Sequence, residues 1–236
     1  MMRFGLDFNT VTRAKGFSKP LGWKRPGLVF VNPWGDYFHE DADAWREDAW
    51  DIMRGTPHLT YLILTKRPEN ITKKRLPHDW PLENVWLGVT AENQEAADRR
   101  IPILLSTPAA LRFVSVEPMI GPVDLRRVAA YDDFHIDALD TPDSSCSIGW
   151  VIAGGESGTG AREMKPEWAL ALKEQCAESG TPFFMKQLSG RQSIPDYLFV
   201  REFPDVCTTI KLSGTLSGGM IIPAHLQGQE FPGNKG

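Results

Sequence analysis

The residues best suited to chemistry stand at the ends of six short apolar runs. YLILTKR (61–67) closes on Thr65, Lys66 and Arg67, and VWLGVTAEN (85–93) on Thr90, Glu92 and Asn93. Ser115 and Glu117 close LRFVSVEP (111–118). Gly154, Gly155, Glu156 and Ser157 follow the apolar part of WVIAGGESG (150–158), and Lys186 and Gln187 end PFFMKQ (182–187). After LVFVN (28–32) come Gly35, Asp36, His39 and Glu40. In parallel α/β folds, ligands bind beyond the carboxyl ends of the strands, so parallel pairing of these runs would gather all these groups at one mouth. Lys66, Arg67 and Lys186 suit a carboxylate or phosphate. Glu92, Glu117 and Glu156 suit an ammonium or sugar hydroxyls, and a zwitterionic ligand satisfies both sets. The bland alternative is that these charges pair with one another across the mouth. The two are compatible.

Other chemistries find less support. GGESGTGAR (154–162) has glycines at phosphate-loop spacing in Gly155 and Gly160, but Ala161 and Arg162 stand where Lys and Ser/Thr would be needed. It is not G-x-G-x-x-G either. Its glycines serve either the approach of backbone to a ligand or a tight turn. The five histidines include no pair at metal-ligand spacing. No G-x-S-x-G is present. Cys146, Cys176 and Cys207 lie about 30 residues apart, without C-x-x-C, and read as thiols of a reducing compartment.

The runs that must position these groups are short, nearly uninterrupted and rich in Val, Ile, Leu and aromatics, as strands buried on both faces are. Helical patterns separate them. Residues 41–55 put Ala44, Trp45, Ala49, Ile52 and Met53 on one face, closing on Gly55. The segment from Pro68 to Pro77 reads as one short helix. Residues 94–105 carry an Ala97, Ile101, Leu104, Leu105 stripe, with Pro102 expected to kink it. Residues 166–179 start with Pro166 and stop before Gly180, with Trp168, Leu172 and Cys176 facing inward. This alternation predicts an α/β fold with a mostly parallel sheet. The organisation expected is an irregular lead-in (1–26), a core domain (27–204) with an acidic, turn-rich inserted loop at about 129–148, and an irregular tail (205–236).

The chain has 236 residues, 42% hydrophobic and 24% charged, enough to bury a core without disulfides. A net charge of −4 argues against a basic nucleic-acid wrapper. No apolar run is long enough to span a membrane, and the first residues lack the apolar core of a secretion signal. The expected setting is the cytoplasm.

FVNPWGDYFHED, LTKRPE, NVWLGVTAENQ, ADRRIPILLSTPAALRFVSVEPMIGPVDL, WVIAGGESGTGAREMKPEW and PFFMKQLSG together resemble a phage-encoded, radical-SAM-like family, over about residues 20–204. The resemblance implies a partial (β/α) barrel that binds S-adenosylmethionine at a [4Fe–4S] cluster held by an N-terminal three-cysteine motif. It also places Lys66, Arg67, Thr90, Glu92, Ser115 and Glu117 around the cofactor cavity, with Gly154, Gly155, Glu156, Ser157 and Lys186 deeper or across it. The family has no established substrate. This sequence departs from the pattern at the cysteines: residues 1–26 contain none. The expectation is a truncated member, lacking the first strand and the cluster segment and unable to do radical chemistry alone. If phage-encoded, it would work in the bacterial host cytoplasm.

The alternative function is a cluster-less binding or interaction protein on the same fold. Trp34, Trp45 and Trp50 would be available to a partner unless they pack in the core, and exposed sheet edges would favour association with another chain. A nucleic-acid-modifying enzyme would need a basic stripe that the charge balance gives no reason to expect.

Overall fold

Strands β1 (Gly27–Val31), β2 (Leu59–Thr65), β3 (Val85–Thr90), β4 (Leu111–Val116), β7 (Ile148–Gly154) and β8 (Phe183–Gln187) pair in that order, every neighbour parallel. The computed structural model describes residues 13–204, apart from 14, 33, 34, 132, 133 and 142. Because spatial order follows chain order, each new strand adds to the same side. The sheet curls into half of a β/α barrel, the form that the family resemblance implies; the alternation of runs and helices by itself fits an open doubly wound sheet equally well.

Three helices cover the outer face: α1 (Asp43–Arg54), α2 (Gln94–Ser106) and α3 (Pro166–Ser179). Their apolar residues Trp50, Ile101, Leu104 and Leu172 join Ile63, Leu87, Val114 and Val151 in one core. Local signals set the helix ends. Asn93 caps α2 by accepting from the Ala96 N–H at 2.9 Å. Pro166 starts α3, and Gly180 ends it in the left-handed conformation (φ 71°) that Gly adopts without a Cβ clash. Helix α2 runs through Pro102 to Ser106 as one element. On α1 the buried face is rotated from the expected one: Ala44 is exposed, Trp45 half-buried, and Trp50 is buried with its indole N–H donating to the Arg75 carbonyl at 3.1 Å. That removes Trp50 from any partner surface. Trp34 lies outside the described residues.

The inner face is filled differently. Leu28, Leu62, Trp86, Phe113, Trp150 and Phe184 form a second, mostly aromatic cluster. Residues alternate between faces with period two, so each strand gives one set to the helices and the other to this floor. Phe203 completes it, 5.4 Å from Trp150 and 5.3 Å from Phe184 between ring centres. Residues 200–202 bring it there by hydrogen bonding to the free edge of β8, through Met185 N–H to Val200 O and Glu202 N–H to Phe183 O.

Two expectations are corrected. Between Pro68 and Pro77 the helix is a single three-residue 3-10 turn (Pro68–Asn70). Side chains hold the rest of the segment instead: Asn70 Nδ2 donates to Phe38 O, and Arg75 forks onto Asp43. The region 129–148 is more than a peripheral loop. It contains an antiparallel hairpin, β5 (Val128–Tyr131) and β6 (Phe134–Ile136), and its Val128, Ala138 and Leu139 are buried. The hairpin and its lead-in dock on the helices, with Ala129 N–H donating to Asp98 and Leu125 N–H to Gln175. It occupies the helical layer of the β4–β7 connection. The tail expected over 205–236 lies outside the described residues.

Gly88 stands opposite Phe113 in the β3–β4 register, and a Cβ built on it would lie 2.5 Å from the Phe113 ring. Gly88→Ala should therefore lower stability by about 1–3 kcal/mol, the usual result of overpacking, read as a lower urea midpoint. An unchanged midpoint would show that the floor has room to repack.

Candidate functional site

Above the aromatic floor the inner face turns polar. Lys66, Thr90, Ser115, Gly154 and Lys186 continue the inner alternation two residues beyond Leu64, Gly88, Phe113, Ile152 and Phe184. Thr90 and Ser115 are buried within their strands. The side chains just past the strands then meet in opposite-charge pairs.

The first pair is a hub on Glu92. Lys66 Nζ donates to Glu92 Oε1, and Arg100 Nη1 donates to Glu92 Oε2 at 2.6 Å and to the Thr90 carbonyl at 2.7 Å. Burial works to raise the Glu92 carboxyl, but the Lys66 hydrogen bond and the Arg100 charge outweigh it and hold the group below the usual glutamate range. The second pair joins β4 to β8: Lys186 Nζ reaches both Glu117 oxygens, at 2.9 and 3.0 Å. The third closes the loop after β7, where Arg162 clasps Glu156 through its backbone N–H and two guanidinium contacts. That clasp holds the exposed Glu156 carboxyl down at about 2.

Backbone contacts bind these groups together. Ile120 N–H donates to Glu92 O and Met119 N–H to Gly154 O, so the segment after β4 ties the β3 and β7 ends. Asp36 ties β1 to β2 by accepting from Thr65 Oγ1, Phe38 N–H and Lys66 N–H, all within 2.8–2.9 Å. Lys66, Glu92, Arg100, Pro118 and Arg162 border one groove of about 230 Å³.

The residues inferred from sequence separate into four groups. Lys66, Thr90, Glu92, Ser115, Glu117, Gly154 and Lys186 stand together at the mouth. Arg67 does not join them: its guanidinium is 3.8 Å from Glu40. Glu156 is committed to Arg162, and Ser157 is exposed on the same loop. Gly155 has an internal purpose. A Cβ there would lie 2.3 Å from the Ser189 nitrogen, so its bareness admits the chain's own loop rather than a ligand. Asp36 was among the strand-end groups read from the sequence, whereas Arg100 and Arg162 were not among the inferred site residues. Arg100 did carry a signal: it falls on the buried Ala97–Ile101–Leu104 stripe of α2, where a charge requires a partner.

Among the described residues, Cys146 and Cys176 do not fit an iron–sulfur cluster. Cys146 is on the Ser144–Cys146 turn, and Cys176 is buried in α3, where burial, helped by the nearby Glu202 charge, pushes its thiol up to about 12. A cluster needs thiolates. Cys207 lies outside the described residues. Among the described residues no three His, Cys, Asp or Glu side chains are grouped to hold a metal. The charged mouth does fit a zwitterion, since it offers ammonium, guanidinium and carboxylate groups together. No helix among the described residues is long and apolar enough to cross a membrane.

No curated protein matches the chain, and no solved structure does. Residues 2–217 match a family described as "Protein of unknown function (DUF5131)", and the chain belongs to that family.

Because the folded Glu92 carboxyl sits below its ordinary value of 4.5, the unfolded chain takes up that proton first. The stability Glu92 adds is thus present above 4.5 and is lost as pH falls through its lowered value. Glu92→Gln should cost about 1–3 kcal/mol at pH 7, from cations left without their carboxylate. The gap between variant and parent, read from urea midpoints, should shrink in acid. A gap constant with pH would mean that the carboxylate charge is not what matters.

Proposed function

For this member of the family we propose a radical-SAM-like role in which the strand-end mouth binds S-adenosylmethionine by its amino-acid head. One observation supports it above the others: opposite charges from β2, β3, β4 and β8 stand at the carboxyl ends of parallel strands, over a closed apolar floor. Lys66 and Arg100 can take the cofactor's carboxylate, and Glu117 its ammonium. The ion pairs already present hold these groups in place. The pairs of Lys66 and Lys186, whose ammonium ends are partly exposed, contribute only about 0–1 kcal/mol, so exchanging a partner there for a ligand group costs little. Thr90 and Ser115 supply hydroxyls just above the floor.

When bound at a cluster, the cofactor would supply radical chemistry. The cysteines described above do not build a cluster site, so the part played by this chain's own residues is binding and orientation. That same fact favours the second function, a cluster-less binding protein using the same mouth. Both place the protein in the cytoplasm, of a bacterial host if it is phage-encoded.

Isothermal titration of the full chain with S-adenosylmethionine tests the proposal. Saturable binding is expected, weakened about tenfold by Lys66→Ala, the loss of one charge-assisted contact. Absence of binding at millimolar cofactor, or binding that Lys66→Ala leaves unchanged, would sink it.

A further inference from the structure

The groove beside Glu92 carries more cationic capacity than an amino-acid head uses. Lys66, Arg99, Arg100 and Arg162 border it, from three separate parts of the chain. Three carboxylates answer these four cations, which leaves one positive charge in excess. Glu95 approaches Arg99 only to 3.6 Å, with both side chains more than half exposed. Glu92 is divided between Lys66 and Arg100, and its charge also acts on Arg162. Arg162 spends its fork on Glu156, a contact that is itself 34–57% exposed and therefore easily exchanged.

Arg100 adds an independent sign. Only 9% of it is exposed, and its buried Nε has no hydrogen-bond partner among the described residues. A desolvated guanidinium short of acceptors is unfavourable, and although Nε itself is closed off, an oxyanion in the groove would add negative charge beside this guanidinium. The first turn of α2 also opens here, capped by Asn93, and its dipole favours negative charge.

We infer that this groove takes the phosphate of a small phosphorylated ligand. A carboxylate has two acceptor oxygens and one charge, which a single guanidinium fork satisfies. Three guanidiniums and an ammonium around one space match a tetrahedral dianion with three free oxygens. The volume, about 230 Å³, is below the roughly 300–1,000 Å³ of sites that enclose a whole ligand. It suits a phosphate head with the rest of the ligand extending toward the mouth. The inference rests on the mouth being the ligand site, and it shares Lys66 and Arg100 with the cofactor proposal. It adds a phosphomonoester as the class of second ligand.

Titration of the full chain with inorganic phosphate, and with acetate as the carboxylate probe at equal ionic strength, tests it. Phosphate should bind more tightly than acetate. Arg99→Gln and Arg162→Gln, at exposed side chains whose loss should not disturb folding, should each weaken phosphate binding about tenfold. Glu117→Gln separates the two proposals, because it should weaken S-adenosylmethionine binding by removing the partner of its ammonium while leaving phosphate binding unchanged, Glu117 not bordering the groove. Phosphate binding no tighter than acetate, or indifferent to both arginine variants, overturns the phosphate site. Loss of cofactor binding alone, with phosphate behaving as expected, overturns only the cofactor proposal.

Discussion

Phe113 occupies the space that a side chain on Gly88 would need, and the inner face is organised around that contact. A half-barrel has a concave side that only its own strands can fill. Large rings do this at one level: Trp86, Phe113, Trp150 and Phe184 are all buried there. Each such ring is worth roughly 1.5–3 kcal/mol in water-excluded surface, provided the opposite strand yields room. Gly88 yields it. With the lower level closed, the next residues along each strand have no apolar neighbours to join, and there the chain places Thr90, Ser115 and Lys186.

The polar level is held together by shared charges more than by individual bonds. Glu92 serves Lys66 and Arg100 at once, and Glu117 receives Lys186 from the far end of the sheet. The buried Arg100–Glu92 contact carries most of the stability, whereas the Lys66 and Lys186 contacts contribute little to folding, because both lysines remain substantially exposed. Their consequence is positional. Charges fixed beforehand need no ordering when a ligand arrives, and that saving is what a preorganised site offers. The segment 117–120 is central to this placement: it carries Glu117 and hydrogen-bonds to the ends of both β3 and β7.

The β4–β7 connection shows how the layer can be completed without a helix. The β5–β6 hairpin binds to α2 through Asp98, its lead-in binds to α3 through Gln175, and Val128 is buried. Its acidic, turn-rich sequence hides this, since its few apolar residues follow no helical period. The 68–77 segment is similar: side-chain ties from Asn70 and Arg75 substitute for a helix that the Pro68–Pro77 bracket suggests.

Much of the fold was legible in the chain. Continuous apolar runs separated by capped helical stretches admit few arrangements other than parallel strands with covering helices, because only burial on both faces rewards such runs. That Lys66, Glu92, Glu117 and Lys186 gather at one mouth was legible for the same reason: parallel pairing brings strand ends together whatever the details. The tertiary structure alone decided which charges meet. Arg67 follows Lys66 directly yet goes to Glu40, while Arg100, eight residues from Glu92 and on a helix, reaches it. Gly155 likewise looked suited to a ligand until the 188–189 turn filled the space beside it. Strand-end position is a property of local sequence, whereas the partner of a long flexible side chain depends on what the fold brings within a few ångströms.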